Sequence, residues 1–166
     1  KQNYNEQKPT QQDHTASCLT TAGNYILTRG DTMNIIQDST EKLNIKIFAD
    51  GANKEDMLKI YKNPLVKGFT TNPTLMRKAG VTDYESFAKE MIALIPDKPI
   101  SFEVFSDDFQ EMKEQALTIS SWGENVYVKI PVSNTEGKSS YQLIQELANA
   151  GVKQNVTAIL TLEQVK

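Results

Sequence analysis

The chain has 166 residues, 39% hydrophobic and 23% charged, which reads as one globular domain rather than a disordered chain. Eighteen Lys and Arg against 21 Asp and Glu leave a net charge of −3. Charges of both signs are mixed along the chain, which argues against nucleic acid or an anionic membrane surface as the main partner. The single cysteine, Cys18, excludes an internal disulfide framework and suits a reducing, cytoplasmic setting; the single histidine, His14, argues against a His/Cys metal site. No apolar run reaches the roughly 18 residues of a membrane helix.

Residues 1–32 are rich in Gln, Asn and Thr and hold one short apolar patch, Tyr25-Ile26-Leu27. Such a segment buries too little to offset the entropy of ordering, so it reads as a disordered or non-native N-terminal extension. It begins with Lys, lacks the basic start and apolar centre of a secretory signal, and is followed by Met33, a natural initiator. The folded domain is then expected over residues 33–166.

From residue 43 short apolar runs alternate with amphipathic segments. The runs Ile45–Ala49, Val66–Thr70, Ile100–Phe105, Val126–Ile130 and Val152–Thr157 predict five strands. Between them, Asn53–Tyr61, Tyr84–Leu94, Phe109–Ile119 and Tyr141–Ala148 carry apolar residues at helical spacing, in the last case Tyr141, Ile144, Leu147 and Ala148 on one face. Asn53, Asp83, Asp107 or Asp108, and Thr135 are the expected N-caps, and Gly123 and Gly151 the expected ends of the last two helices. Strands alternating with helices imply an α/β fold with a parallel sheet. The spacing suits either an open doubly wound sheet or a (β/α)8 barrel. No GxGxxG or GxxxxGK[ST] follows a strand, which counts against dinucleotide or nucleoside-triphosphate cofactors.

The informative residues are polar ones at the C-terminal ends of strands, where such sheets hold their sites. Lys129, in Val126-Tyr127-Val128-Lys129-Ile130-Pro131, is either a strand-end lysine reaching solvent or an amine kept neutral by an apolar pocket, hence a nucleophile for a carbonyl carbon. Asp50 closes the first strand; Asn53 is the better-placed helix cap, which leaves Asp50 free as a general acid or base. Glu103 lies between Phe102 and Val104, so alternation turns it to the opposite face from both. Thr70-Thr71-Asn72-Pro73 closes the second strand and starts a helix, with Asn72 as cap and Pro73 in the first turn. Asn155 and Thr157 share one face of the fifth strand and would bond to substrate hydroxyls or to each other.

Phe48-Ala49-Asp50-Gly51-Ala52-Asn53, Thr70-Thr71-Asn72-Pro73-Thr74-Leu75, Phe102-Glu103-Val104, Val128-Lys129-Ile130-Pro131 and Asn155-Val156-Thr157 together resemble the ordered signature of the transaldolase family, in the short subfamily that includes fructose-6-phosphate aldolase-like enzymes. The resemblance covers about residues 43–166 and implies a (β/α)8 TIM barrel of which about five βα units are present. It implies Lys129 as the Schiff-base lysine and Asp50 as the group that moves the proton of the substrate's C4 hydroxyl. Glu103 and Thr157 would position a catalytic water, with Thr70 nearby, while Asn72 and Asn155 would hold hydroxyls of a dihydroxyacetone unit. The implied activity is transfer of that unit between ketose and aldose phosphates in the pentose phosphate pathway, with no cofactor and no metal. Aldolases of the subfamily tend to carry Gln where Glu103 stands, which tilts the resemblance towards transaldolase.

Two departures accompany it. Gly51 stands where the family more often has Thr or Ser. The chain also ends at Lys166, just after the fifth strand, so strands six to eight and the family's phosphate-binding Ser and Arg fall outside it. The alternatives are a fructose-6-phosphate aldolase-like class I aldolase, or a truncated, non-catalytic barrel fragment whose open first and fifth strands invite self-association. Sugar phosphates are the expected partners, with no nucleic acid and no membrane. Oligomeric state is left open, although the short subfamily is typically built as ring-like homo-oligomers.

Overall fold

The computed structural model describes residues 45–165. The expectations for residues 1–32 and for Met33 lie outside the described residues. In chain order the elements are β1 (Ile47–Asp50), α1 (Lys54–Tyr61), β2 (Val66–Thr70), α2 (Pro73–Lys78), α3 (Tyr84–Leu94), β3 (Ile100–Glu103), α4 (Phe109–Ser120), β4 (Val126–Pro131), α5 (Tyr141–Asn149) and β5 (Gln154–Thr157). Among the described residues no helix is long and apolar enough to cross a membrane.

All five strands are parallel and lie in the order β1-β2-β3-β4-β5. A doubly wound sheet reverses its strand order at a switch point, whereas a sheet whose sequential strands are all joined by right-handed crossovers keeps its helices on one face. The strictly sequential order therefore decides between the two architectures: these are five consecutive units of a (β/α)8 barrel. Curvature follows from the side chains on the helix-free face. The Asn155 side chain on β5 reaches Ser101 on β3 over the intervening β4, at 3.2 Å, which a flat sheet with strands about 4.8 Å apart would not allow so easily.

The helix-covered face is dry. Ile100, Phe102, Val126, Val128 and Ile130 meet Met57, Met91, Met112, Ala116 and Leu147 in one buried cluster. The α5 face is rotated from the expected one, with Leu143 and Leu147 buried and Tyr141 68% exposed. Most helix starts follow local rules: Asn53, Asn72 and Asp83 each accept the backbone N–H three residues on, and Asp108 accepts two, from Gln110 and Glu111. Thr135 is not a cap. The last helix begins six residues later behind Ser140, and Thr135 instead donates its N–H and hydroxyl to the Asp107 carboxylate, at 2.8 and 2.5 Å. Gly151 closes α5 at φ +80°, the left-handed conformation that glycine takes most easily. Gly123 does not end α4: Ser121 is its C-cap, and Gly123 follows two residues later, where a Cβ would lie 2.8 Å from Ile92.

Strand ends differ from the apolar runs for an identifiable reason. Among the described residues Ile45 and Lys46 have no ladder partner, because pairing begins at Ile47 with Val66. β3 stops at Glu103 because the Gln115 side chain on α4 accepts the N–H groups of Phe105 and Ser106, at 2.7 and 3.1 Å.

Gly68 on β2 faces the concave side between the Phe48 ring and Pro99. A Cβ there would fall well inside contact distance of Phe48 and 2.8 Å from Pro99 Cγ. Gly68→Ala should therefore lower stability by about 1–3 kcal/mol through overpacking. Urea unfolding of wild type and variant checks this, and an unchanged midpoint would show that the interior gives way.

Candidate active site

Register places the polar residues at the rim of the concave face. Asp50 pairs with Thr70, and Thr70 with Ser101. Further along the strands, Glu103 pairs with Lys129 and Lys129 with Asn155. Phe102 and Val104, by contrast, are buried on the helix side, as alternation requires.

Lys129 neither reaches bulk solvent nor sits in an apolar pocket. Its side chain is only 13% exposed, and Nζ donates to the Thr71 carbonyl at 2.9 Å and to Glu103 Oε2 at 3.3 Å. A buried ammonium requires such oxygen partners, and the end of β2 and the end of β3 supply one each. Asp50 forms the second centre. Its Oδ1 accepts the Thr70 hydroxyl at 2.8 Å and its Oδ2 accepts the Asn72 amide at 3.2 Å. Asn72 serves twice, because its Oδ1 also accepts the Leu75 N–H and starts α2.

Burial raises the Asp50 carboxyl above its ordinary value of 3.8, outweighing the Thr70 hydrogen bond, the charge of Lys129 and the Asn72 hydrogen bond, all of which lower it. A carboxyl made more basic in this way is better suited to take and return a proton.

The remaining expected residues are placed less centrally. Asn155 donates to Ser101 Oγ rather than to Thr157. Thr157, opposite Pro131, turns its hydroxyl to the Ile130 carbonyl at 3.4 Å. The structure thus joins Lys129 to Glu103, and Asp50 to Thr70 and Asn72, while Thr157 stands at the margin. Three participants escaped the sequence reading. Thr71 gives its carbonyl to Lys129 and its hydroxyl to the Ser101 carbonyl, at 2.9 and 3.0 Å. Ser101 lies two residues before Glu103 on the same face, a period-two signal that was available. Tyr84 brackets the Glu103 backbone from α3, and an aromatic on an amphipathic helix reads simply as core.

A groove of about 500 Å³ lies elsewhere, at the N-terminal ends of the strands, lined by Pro99, Asn125, Tyr127 and Lys153 among others. Ligand sites of parallel α/β sheets lie at the C-terminal ends of strands, and the reactive groups are gathered there, so the rim and not this groove is the candidate site. Among the described residues no three His, Cys, Asp or Glu side chains are grouped so as to hold a metal ion.

Residues 47–166 match the family model described as Transaldolase/Fructose-6-phosphate aldolase. The chain belongs to the transaldolase/fructose-6-phosphate aldolase family. Among its relatives, a "Probable transaldolase" of Dehalococcoides mccartyi is 40% identical over 120 residues, 72% of this chain and 54% of the relative. A "Probable transaldolase" of Streptococcus equi subsp. zooepidemicus is 39% identical over 72% of this chain and 53% of the relative. A "Probable transaldolase 2" of Listeria monocytogenes is 37% identical, covering 72% and 52%. The chain spans about half the length of the curated relatives it matches. In this transaldolase-family chain the matched region begins at Ile47, so it contains every strand and every residue of the site just described.

The raised Asp50 carboxyl has a consequence for stability. A group that holds its proton more tightly when folded favours folding at low pH, and that contribution is lost as pH rises from about 3.8 through the folded-state value. Asp50→Asn removes the cost of burying the charge. Its melting temperature relative to wild type should therefore climb as pH rises from 4 to 7, measured by thermal melts in matched ionic strength. A difference that stays flat or falls over that range would contradict the assignment.

Proposed function

We propose that the full protein transfers a dihydroxyacetone unit between ketose and aldose phosphates through a Schiff base on Lys129. The observation that carries this reading is the Lys129 amine, enclosed at the end of β4 3.3 Å from the Glu103 carboxylate, with the more basic Asp50 carboxyl on the same concave rim.

An ammonium has no lone pair, so Lys129 must lose a proton before it attacks; Glu103 is the carboxylate within reach to accept it. The neutral amine adds to the C2 carbonyl of the ketose phosphate, and loss of water with return of the proton from Glu103 leaves an iminium. Asp50 then takes the C4 hydroxyl proton, the C3–C4 bond breaks, and its electron pair moves into the iminium to form an enamine. The aldose phosphate leaves. The enamine adds to an acceptor aldehyde, Asp50 returns the proton, and water releases the new ketose phosphate. Thr70 and Asn72 hold the Asp50 carboxyl in one orientation, and Asn72 and Asn155 offer amides to the hydroxyls of the three-carbon unit. Glu103 and Thr157 are the groups assigned to the water.

The pentose phosphate pathway in the cytoplasm is the setting this chemistry suits, and the lone cysteine in the sequence agrees with a reducing compartment. Glu at position 103, rather than Gln, favours transfer over simple aldol cleavage. An enzyme that turns over fructose 6-phosphate without an acceptor would instead be the aldolase.

Incubation of the full-length protein with fructose 6-phosphate and borohydride should leave a reduced adduct on Lys129, located by peptide mass. Lys129→Met should form none, and Asp50→Ala should still trap while turnover drops by about 10²–10⁴. An unmodified Lys129, or an adduct on another lysine, overturns the proposal.

A further inference from the structure

β2 pairs with β3 only through Phe69 with Ile100 and Thr70 with Ser101. One further bond runs from the Thr71 N–H to the Ser101 carbonyl at 3.0 Å, and the chain then turns away into α2. Carbonyls of alternate residues on β3, Pro99 and Ser101, have been pointing at β2. Two residues later the Glu103 N–H and C=O point the same way, past the end of their partner strand. Buried peptide groups need partners, and here one side chain supplies both. The Tyr84 hydroxyl accepts the Glu103 N–H at 2.8 Å and donates to the Glu103 carbonyl at 3.0 Å.

We propose that Tyr84 is a positioning residue for the reaction, its hydroxyl replacing the missing strand beside Glu103 and so fixing where the Glu103 carboxylate meets Lys129. The ring is itself held. It packs edge-on against Phe102, Phe105 and Trp122, with centroids 6.0, 4.7 and 5.6 Å away. Burial raises the phenol's pKa further above its ordinary value of 10, so the hydroxyl keeps its proton and remains both donor and acceptor throughout the working range. Phenylalanine would keep the packing and lose both bonds. Among the described residues the Lys129 contact is the other tether of the Glu103 side chain, so freedom in its backbone passes directly to the carboxylate.

This inference rests on the proposed roles of Glu103 and Lys129, and the experiment separates the two. In the full-length protein, Tyr84→Phe should lower kcat about tenfold with KM for the ketose within about twofold, as expected for lost positioning rather than lost binding. The pH profile of borohydride trapping at Lys129 should shift with it. In a Glu103→Gln background the same substitution should change kcat by less than about twofold, because its effect runs through that carboxylate. Trp122→Phe, which disturbs the same aromatic cluster but leaves the hydroxyl, should lower the melting temperature and leave kcat and the pH profile as they were. If Tyr84→Phe only lowers the melting temperature, or its effect is undiminished in the Glu103→Gln background, the inference falls while the proposed function stands. If wild type forms no adduct on Lys129, the proposed function falls first. Should Tyr84→Phe not accumulate as folded protein, amide exchange at Glu103 in the wild type decides. Slow exchange, like that of the sheet interior, supports the tie; exchange as fast as in an exposed loop overturns it.

Discussion

A lysine amine enclosed at the end of a strand must either shed its charge or find oxygens, and the geometry of this molecule's rim is organised around that demand. Lys129 is met by a backbone carbonyl from the end of β2 and a carboxylate from the end of β3. Neither partner is close in sequence, so the contact exists only because the parallel register brings the ends of three strands together, β2 stopping at the level of Ser101 and β3 running on to Glu103 beside Lys129. Register in turn depends on the dry face, where Phe102, Val128 and Ile130 lock the strands against the helices. Slipping β4 by one residue would turn Lys129 into that core and Val128 out of it. Packing on one face therefore specifies chemistry on the other.

The sequence made the fold legible because apolar strands covered by helices are conspicuous, and it made most of the site legible because charged residues in such strands are conspicuous exceptions. Lys129, Asp50 and Glu103 each interrupt an apolar run at its end. What could not be read was whatever depends on contacts between distant residues. Lys129 is read from the sequence either as reaching solvent or as sitting in an apolar pocket, yet it meets two oxygens whose proximity is a matter of register. Thr135 looked like a helix cap because it precedes an amphipathic segment, but its partner, Asp107, is 28 residues away across the rim. Tyr141 was placed on the buried face of α5, but the helix starts without a side-chain cap to set its phase and presents Leu143 and Leu147 to the core. Tyr84 is the sharpest case, since only its ring was visible in the helical pattern, and its hydroxyl acts 19 residues away.

Asn72 illustrates how a structural and a chemical role share one side chain. Its carbonyl oxygen starts α2 and its amide steadies Asp50, so the helix and the carboxyl are oriented by the same torsions. A cap that also holds an acid links local folding to the site without additional residues. Gly68 and Pro99 do comparable work beneath it, filling the interior floor below the polar rim.

The bond pair between Asp107 and Thr135 gives the rim a mechanical property. These residues belong to the segments that follow β3 and β4, the strands carrying Glu103 and Lys129. Beyond the sheet the two segments are thus tied directly to each other, although each is a separate loop. The span between the carboxylate and the amine is then braced from above by the clasp and from below by the strand ladder.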